Sequence, residues 1–274
     1  MTNKTMPGMI LGTMAVVIIA AVIFVYNTNQ DNTAIEVVPV TKAPVVREPV
    51  KPTPQPLPDP SPVAPPEVLT PTEAAPELPA IVNAPITLDN SDASVLMAAR
   101  DLTPTLTKWL LPKEQIRKWV LAVDLMADGK LPKRYRPVDY PMAKFKTQAS
   151  GLDEVTSDEN YQRMNAMIET VTSIDQATLV RYYQEWLPLL EKAYREQGKP
   201  DTFNQRFLQT ISQVLAVSPL EQQPALTRPS VLYQFESQEY ESATDVEKLL
   251  WRMGPDNAEA LQAFLRELRY QLQQ

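Results

Sequence analysis

The chain has no cysteine and no histidine among its 274 residues, and it has only six glycines. Without cysteine, neither a disulfide nor a thiolate nucleophile can form. Without histidine, the Ser-His-Asp and Cys-His triads and the usual zinc ligand sets are excluded. The glycines are too scattered for a phosphate-binding loop. We therefore predict no catalytic residue, no metal site and no cofactor.

Basic residues are also fewer than acidic ones, and the formal net charge is −7. A protein that binds nucleic acid needs a basic surface to neutralise phosphates, so we predict no nucleic-acid partner. Hydrophobic residues make up 44% of the chain, which is typical of a globular protein.

An unbroken apolar run, MILGTMAVVIIAAVIFVY, occupies residues 9–26. A helix of about 18 residues would be roughly 27 Å long, close to the ~30 Å hydrocarbon core of a bilayer. A signal-peptide core is shorter and ends in a cleavage site of small residues, whereas bulky residues follow Ala20 and Ala21 here. A buried core helix does not fit a run that begins at residue 9 and precedes a polar tract. We predict an uncleaved transmembrane helix.

The flanking charges predict the orientation of this helix. Lys4 precedes the run, and no Lys or Arg follows it until Lys42. The positive-inside rule then places residues 1–8 in the cytoplasm and the rest of the chain across the membrane. In a Gram-negative bacterium, this is a single-pass inner-membrane protein with its C-terminal domain in the periplasm.

Residues 27–86 contain no glycine, and residues 51–79 hold eleven of the 27 prolines. Proline fixes φ near −65° and favours an extended residue before it. We predict a disordered, proline-rich linker that could extend to roughly 180 Å at about 3.1 Å per residue. A ligand for a proline-recognising groove is the alternative. A plain spacer is favoured, because no arginine-flanked PxxP core is present.

From residue 87 to residue 274, apolar residues recur at helical spacing. We expect a loop with at most a short strand over 130–158, and a short strand or extended strap over 231–237. The fold class is therefore all-α, a compact bundle of about seven helices with at most one short strand or strap. The predicted helices cover residues 91–102, 113–128, 160–172, 173–198, 202–218, 244–253 and 257–272.

Local signals define the helix ends. Ser91 and Ser173 are the expected caps, and Gly129 and Gly198 are the expected stops. Pro188 lies inside the longest pattern and should kink or divide that helix.

The sequence also predicts structural roles for three tryptophans, for Gly254 and Pro255, and for four arginines. Trp109, Trp119 and Trp186 sit at helical spacing and belong in the core. Gly254 should adopt a positive φ, and Pro255 should open the last helix. The arginines Arg181, Arg195, Arg206 and Arg252 are expected to pair with Glu185, Glu191 or Glu247.

The helical region resembles an uncharacterised proteobacterial family, domain of unknown function 3014. Four segments carry the likeness: YYQEWLPLLEKAYREQG, FNQRFLQTISQVLA, RPSVLYQF and KLLWRMGPDNAEALQAFLREL. The resemblance covers most of residues 87–274 and implies a membrane-anchored envelope protein. It implies no activity, and no functional residue is transferred from it.

The segment KLPKRYRPVDYPMAKFK, residues 130–146, concentrates positive charge in an acidic chain. One hypothesis is a contact site for an anionic polymer, lipid headgroups or an acidic partner. The alternative, which is favoured, is a solvated loop whose aromatic residues Tyr135, Tyr140 and Phe145 pack inward. The candidate contact residues are Lys130, Lys133, Arg134, Arg136, Lys144 and Lys146.

The enzymatic alternative is a carboxylate-dependent glycosidase acting on peptidoglycan. Some all-helical wall-cleaving enzymes have a catalytic glutamate before a serine, and the pairs Glu236-Ser237 and Glu241-Ser242 match that dipeptide. The glycine-rich part of the signature is missing. The leading hypothesis is therefore a non-enzymatic binding or scaffold domain whose partners are the inner membrane, through residues 9–26, and an unidentified envelope protein. Secretion, wall synthesis and outer-membrane maintenance are the candidate processes.

Overall fold

A computed structural model describes residues 80–274. The predicted transmembrane helix over 9–26 lies outside the described residues, as does the linker up to residue 79. Within the described part, no helix is both long enough and apolar enough to cross a membrane.

Residues 80–274 form nine α-helices, one 3₁₀ helix and two small antiparallel sheets. In chain order the elements are α1 (Asp92–Leu102), the 3₁₀ helix (Leu106–Lys108), α2 (Gln115–Ala127), β1 (Thr147–Ser150), β2 (Asp153–Thr156), α3 (Glu159–Gln162), α4 (Asn165–Thr172), α5 (Gln176–Arg195), α6 (Phe203–Ala216), β3 (Leu226–Thr227), β4 (Gln234–Phe235), α7 (Gln238–Glu241), α8 (Asp245–Met253) and α9 (Pro255–Leu272).

The prediction of a mainly helical domain is confirmed, and each predicted helix has a counterpart among the seven longer helices. The prediction of at most one short strand or strap is wrong, because β1 pairs with β2 and β3 pairs with β4. Ser150 pairs with Asp153, so the first hairpin turns through Gly151 and Leu152, with Gly151 at φ 67°. Strands of two to four residues are too short for an alternating pattern to be recognised.

The core is centred on α2, which packs against α5 and α6. Trp119 is buried on α2, and its indole N–H donates to the Gln115 amide oxygen at 2.9 Å. Trp186 of α5 and Trp109 are also buried, so the predicted location of these three tryptophans is confirmed. The last helix, α9, packs against α4, α5, α6 and α8 and closes the bundle.

Pro188 does not divide α5, which is continuous from Gln176 to Arg195. Proline removes the hydrogen bond to the carbonyl four residues earlier. Pro188 and Gln184 are both exposed, so water is available to that carbonyl. The opposite face of the helix buries Trp186 and Leu190, which holds the two halves together.

Two predicted helix starts are wrong. The cap of α5 is Asp175, not Ser173, because its carboxylate accepts a hydrogen bond from the Thr178 N–H at 2.8 Å. Helix α2 begins two residues later than expected, since Lys113 and Glu114 both adopt positive φ.

Two helix starts are capped by carboxylates from other helices. Asp92 of α1 accepts from the N–H groups of Glu114 and Gln115, at 2.9 and 2.8 Å, and so caps α2. Glu191 of α5 accepts from the first two N–H groups of α6, both at 3.0 Å. Each contact satisfies helical donors that have no partner within their own helix.

A buried ionic network joins α2 to α6 and corrects the expectation for Arg206. Arg206 contacts Asp124 and Asp128, both at 2.7 Å, instead of a glutamate. Asp124 is buried, and it also contacts Lys199 at 3.0 Å and the Tyr194 hydroxyl at 3.3 Å. Burial is the main cause that raises the pKa of the Tyr194 hydroxyl. Its hydrogen bond to the Asp201 carboxylate and the charge of Asp124 raise this pKa further.

The domain includes residues that precede the boundary expected at residue 87. Ile81, Val82 and Ala84 pack against the core. The Val82 N–H donates to the Tyr182 hydroxyl at 3.0 Å, and the Trp186 indole donates to the Val82 carbonyl at 2.9 Å. We call residues 81–84 the entry strap, because it fixes on α5 the point where the chain enters the domain.

Candidate functional site

A cleft of about 610 Å³ lies between the loop 217–224, the C-terminal part of α8 and the first half of α9. The end of β2 and the short helix α3 form its fourth wall. Its walls therefore come from three stretches of the chain that are distant in the sequence, residues 156–161, 217–224 and 250–266.

An aromatic cluster forms the floor of the cleft. The rings of Phe235 and Trp251 meet edge to face with centroids 6.2 Å apart, and the Tyr240 ring lies 5.7 Å from that of Trp251. The Trp251 indole N–H donates to the Ser218 carbonyl at 3.1 Å. This bond ties the loop to helix α8, so the wall is held in place.

The motif WRMGP shapes one end of the cleft. Gly254 adopts φ 88° and Pro255 opens α9, so both predictions are confirmed. The Tyr161 ring packs on Gly254 so closely that a Cβ there would lie 2.4 Å from the ring. Asn257 donates to the Tyr161 carbonyl at 2.8 Å. Gly254 therefore serves a close approach as well as a turn.

Charges of both signs surround the floor. The Arg252 guanidinium is buried and lies 4.7 Å from the centroid of the Phe235 ring. Gln223 donates to Asp158 at 3.0 Å, and its own buried amide oxygen has no hydrogen-bond partner among the described residues. Burial, and secondarily the nearby charge of Asp158, raise the pKa of Tyr161.

The rim of the cleft is polar and exposed. Glu221, Gln222, Glu259 and Arg266 line it and are all exposed. A concave site with an apolar floor and a few polar groups has the chemistry of a binding pocket. Its glutamates lie in solvent rather than in the apolar environment that a glycosidase acid requires.

Neither glutamate-serine pair lines the cleft. Glu236 is exposed, and Glu241 accepts from the Phe235 N–H at 2.9 Å and lies 3.6 Å from the Lys248 amine. Ser237 and Ser242 flank the single-turn helix α7. These pairs thus have local structural contacts in the fold.

The structure separates the six basic residues of segment 130–146. Arg136 is paired with Asp139 at 3.2 Å, and Lys146 is paired with Glu159 at 2.6 Å. The other four are exposed: Lys130, Lys133, Arg134 and Lys144.

The three aromatics of that segment also differ in burial. Tyr140 is buried against Trp109, with ring centroids 4.8 Å apart, and Phe145 packs on Tyr233 at 5.6 Å. Tyr135 is 71% exposed, so the expectation of inward packing is wrong for this residue.

The exposed tip, residues 133–135, is anchored on both sides. Before it, Leu131 is buried and its N–H donates to the Asp245 carboxylate at 3.2 Å. After it, the Asp139 N–H donates to the Trp109 carbonyl at 2.7 Å, and Val138 bridges to Leu110. Tyr135 has φ 55°, which bulky L residues rarely adopt.

Sequence reasoning did not find the cleft. The loop 217–224 has no motif, and a tryptophan at helical spacing such as Trp251 indicates packing rather than a cleft. Within residues 80–274, no group of three or more acidic side chains is arranged to hold a metal ion.

The family described as "Protein of unknown function (DUF3014)" matches residues 115–269, more than half of the chain. The chain belongs to this family, as the four sequence segments indicated. The match includes α2 and most of α9, and therefore the helices that form the core and the cleft. No curated protein and no solved structure gives a significant match.

Proposed function

We propose that this chain is a single-pass inner-membrane protein whose helical domain binds a partner protein in the periplasm, as part of an envelope assembly. The apolar run over 9–26 and the proline-rich linker are the sequence features that support the anchored arrangement. The cleft beside Trp251 is the structural feature that supports binding.

The occupant we propose is an extended, apolar peptide segment of the partner. Phe235 is buried beneath the floor, and Trp251 is partly exposed in the cleft. An aromatic side chain in a cleft is suited to contact proline and aliphatic side chains. The rim carries Arg266 as well as Glu221 and Glu259, so it can pair with charges of either sign at the edges of such a peptide. The wall is already fixed by the Trp251–Ser218 hydrogen bond, which lowers the ordering cost of binding.

Binding is favoured over a peptidoglycan glycosidase by the exposure of the glutamates in the cleft. Acid catalysis needs a carboxyl group whose pKa is raised in an apolar, water-poor site. Glu221 and Glu259 are both exposed on the rim. The glycosidase is kept as the alternative, and the variant E259Q tests it: an enzyme would lose wall hydrolysis, whereas a binding module has none to lose.

Photo-crosslinking in intact cells tests the proposal. A photoreactive amino acid replaces Gln222 on the rim of the cleft or, as the matched control, Gln213, which is exposed on α6 outside the cleft. We expect a discrete adduct from position 222 and none from position 213. Equal adducts from both positions would show that the cleft is not the binding site.

A second pair of variants makes the test specific. Ala258 lines the cleft, and Ala263 is exposed on the same helix away from it. A258W should fill the cleft and abolish the adduct, whereas A263W should preserve it. An adduct that survives A258W in a folded domain contradicts the proposal. A protease-accessibility assay on a tag at Gln274 tests the periplasmic location separately.

A further inference from the structure

The tip at residues 133–135 joins exposed positive charge to an exposed aromatic ring. Lys133 and Arg134 are exposed, and no ion pair within residues 80–274 involves either of them. Tyr135 follows directly and is 71% exposed. A tyrosine ring is amphipathic and is favoured at the level of lipid headgroups, where lysine and arginine contact anionic lipids.

We propose that Lys133, Arg134 and Tyr135 form a contact site for an anionic lipid surface. The anchors on either side hold the tip outward, because Leu131 and Val138 are both buried in the domain. Tyr135 is thereby presented in a fixed backbone conformation with φ 55°. Little conformational entropy is lost when such a tip meets a surface.

A flat surface fits this tip better than a polymer chain does. A polymer is bound along a groove that contacts several successive units. None of the three tip residues lines the cleft. Lys130 and Lys144 are also exposed, but Arg136 and Lys146 interrupt a continuous basic track because they pair with Asp139 and Glu159. This inference is independent of the cleft and of any peptide partner.

Tryptophan fluorescence of the full chain, reconstituted in vesicles, tests the contact. The chain has four tryptophans, all within the domain at or after residue 109. Y135W keeps an interfacial aromatic residue and adds a reporter, and the parent chain supplies the background. The matched control is L152W, because Leu152 is fully exposed at the tip of the β1–β2 hairpin and has no basic residue beside it in the sequence.

Lipids that carry bromine near the top of the acyl chains quench an indole that reaches the boundary between headgroups and hydrocarbon. In vesicles with phosphatidylglycerol, Y135W should show quenching above the parent, and L152W should not. About 1 M salt, where the Debye length is about 3 Å, should abolish it. The double substitution K133Q/R134Q in the Y135W chain should lower the ratio of membrane-bound to unbound tip about 30-fold. Each basic residue near an anionic membrane contributes about 1 kcal/mol, a factor of about 5.4 in that ratio.

Three results would overturn the proposal. The first is no extra quenching in Y135W. The second is quenching that is equal in phosphatidylcholine vesicles or in L152W. The third is a shift of the Y135W emission by heparin, a soluble anionic polysaccharide, without any response to vesicles, which would assign the tip to a polymer. Lys133 and Arg134 are exposed, so thermal unfolding should be the same with and without their substitution.

Discussion

Removing one side of the ion pair between Arg206 and Asp124 should strongly destabilise the domain. Arg206 is 8% exposed, and its guanidinium donates to the Asp124 carboxylate at 2.7 Å and to the Asp124 carbonyl at 2.6 Å. R206M removes these donors and leaves the carboxylate buried. Breaking one side of a buried ion pair costs about 3–5 kcal/mol.

The expected cost of R206M is near the lower end of that range, about 3 kcal/mol. Lys199 and Tyr194 still contact Asp124 in the variant, so the carboxylate keeps part of its neutralisation. For a domain of this size, about 3 kcal/mol lowers the melting temperature by roughly 6–12 °C. Chemical denaturation and calorimetry both measure this change.

The matched control is R117M. Arg117 pairs with Glu196 at 2.8 Å, and it too joins α2 to the end of α5, but the Arg117 side chain is 34% exposed. An exposed pair contributes about 0–1 kcal/mol. The double variant D124L/R206M should lose less stability than the sum of its single variants, because no buried charge is left alone. If R206M costs no more than R117M, the argument from burial is wrong.

Three further predictions concern local structure. D175A should cost about 1 kcal/mol, since Asp175 caps α5, and S173A should cost less, because the Ser173 hydroxyl makes only an exposed hydrogen bond to the Thr170 carbonyl. Hydrogen bonds from Thr178 lower the pKa of Asp175, so the contribution of this cap is present above pH 3.8 and is lost as the pH falls below it; denaturation at several pH values measures this loss. G254A should be destabilised by more than G198A in thermal unfolding, because both glycines have positive φ but only Gly254 contacts a ring. Deleting residues 80–86 should speed proteolysis of the domain and red-shift its tryptophan emission, and an unchanged spectrum would show that the entry strap does not pack.

The helices were predictable because their signals are local. An apolar stripe at helical spacing reports which face of a segment is buried, whatever it packs against. In α5, six apolar and aromatic residues at helical spacing predict one inward face, and all six are buried in the structure: Leu179, Tyr182, Tyr183, Trp186, Leu190 and Tyr194. Gly129 and Gly198 follow their helices at positive φ as expected.

Contacts between distant segments were not predictable in the same way. Asp92 caps a helix that begins 23 residues later, and no local pattern distinguishes it from a solvated aspartate. Arg206 was expected near a glutamate, but its partner Asp124 lies 82 residues away on α2. The tertiary packing of the helices decides which charges meet.

The same difference between local signals and distant contacts explains what could be predicted about the candidate sites. The sequence located the positive charge of 130–146, but the burial of Leu131 and Val138 decides that residues 133–135 project between them. The cleft escaped detection because its walls come from separate segments and its floor residues have the composition of an ordinary core.

The entry strap determines how mechanical load enters the domain. Tension on the chain before residue 80 is transferred to the middle of α5 through the backbone of Val82, which is hydrogen-bonded to Tyr182 and Trp186. The pull is therefore applied to a long helix that packs against α2 and α9, rather than to the first residues of α1. If the proposed anchored arrangement holds, force along the linker would reach the helical core before it reaches the ends of the helices.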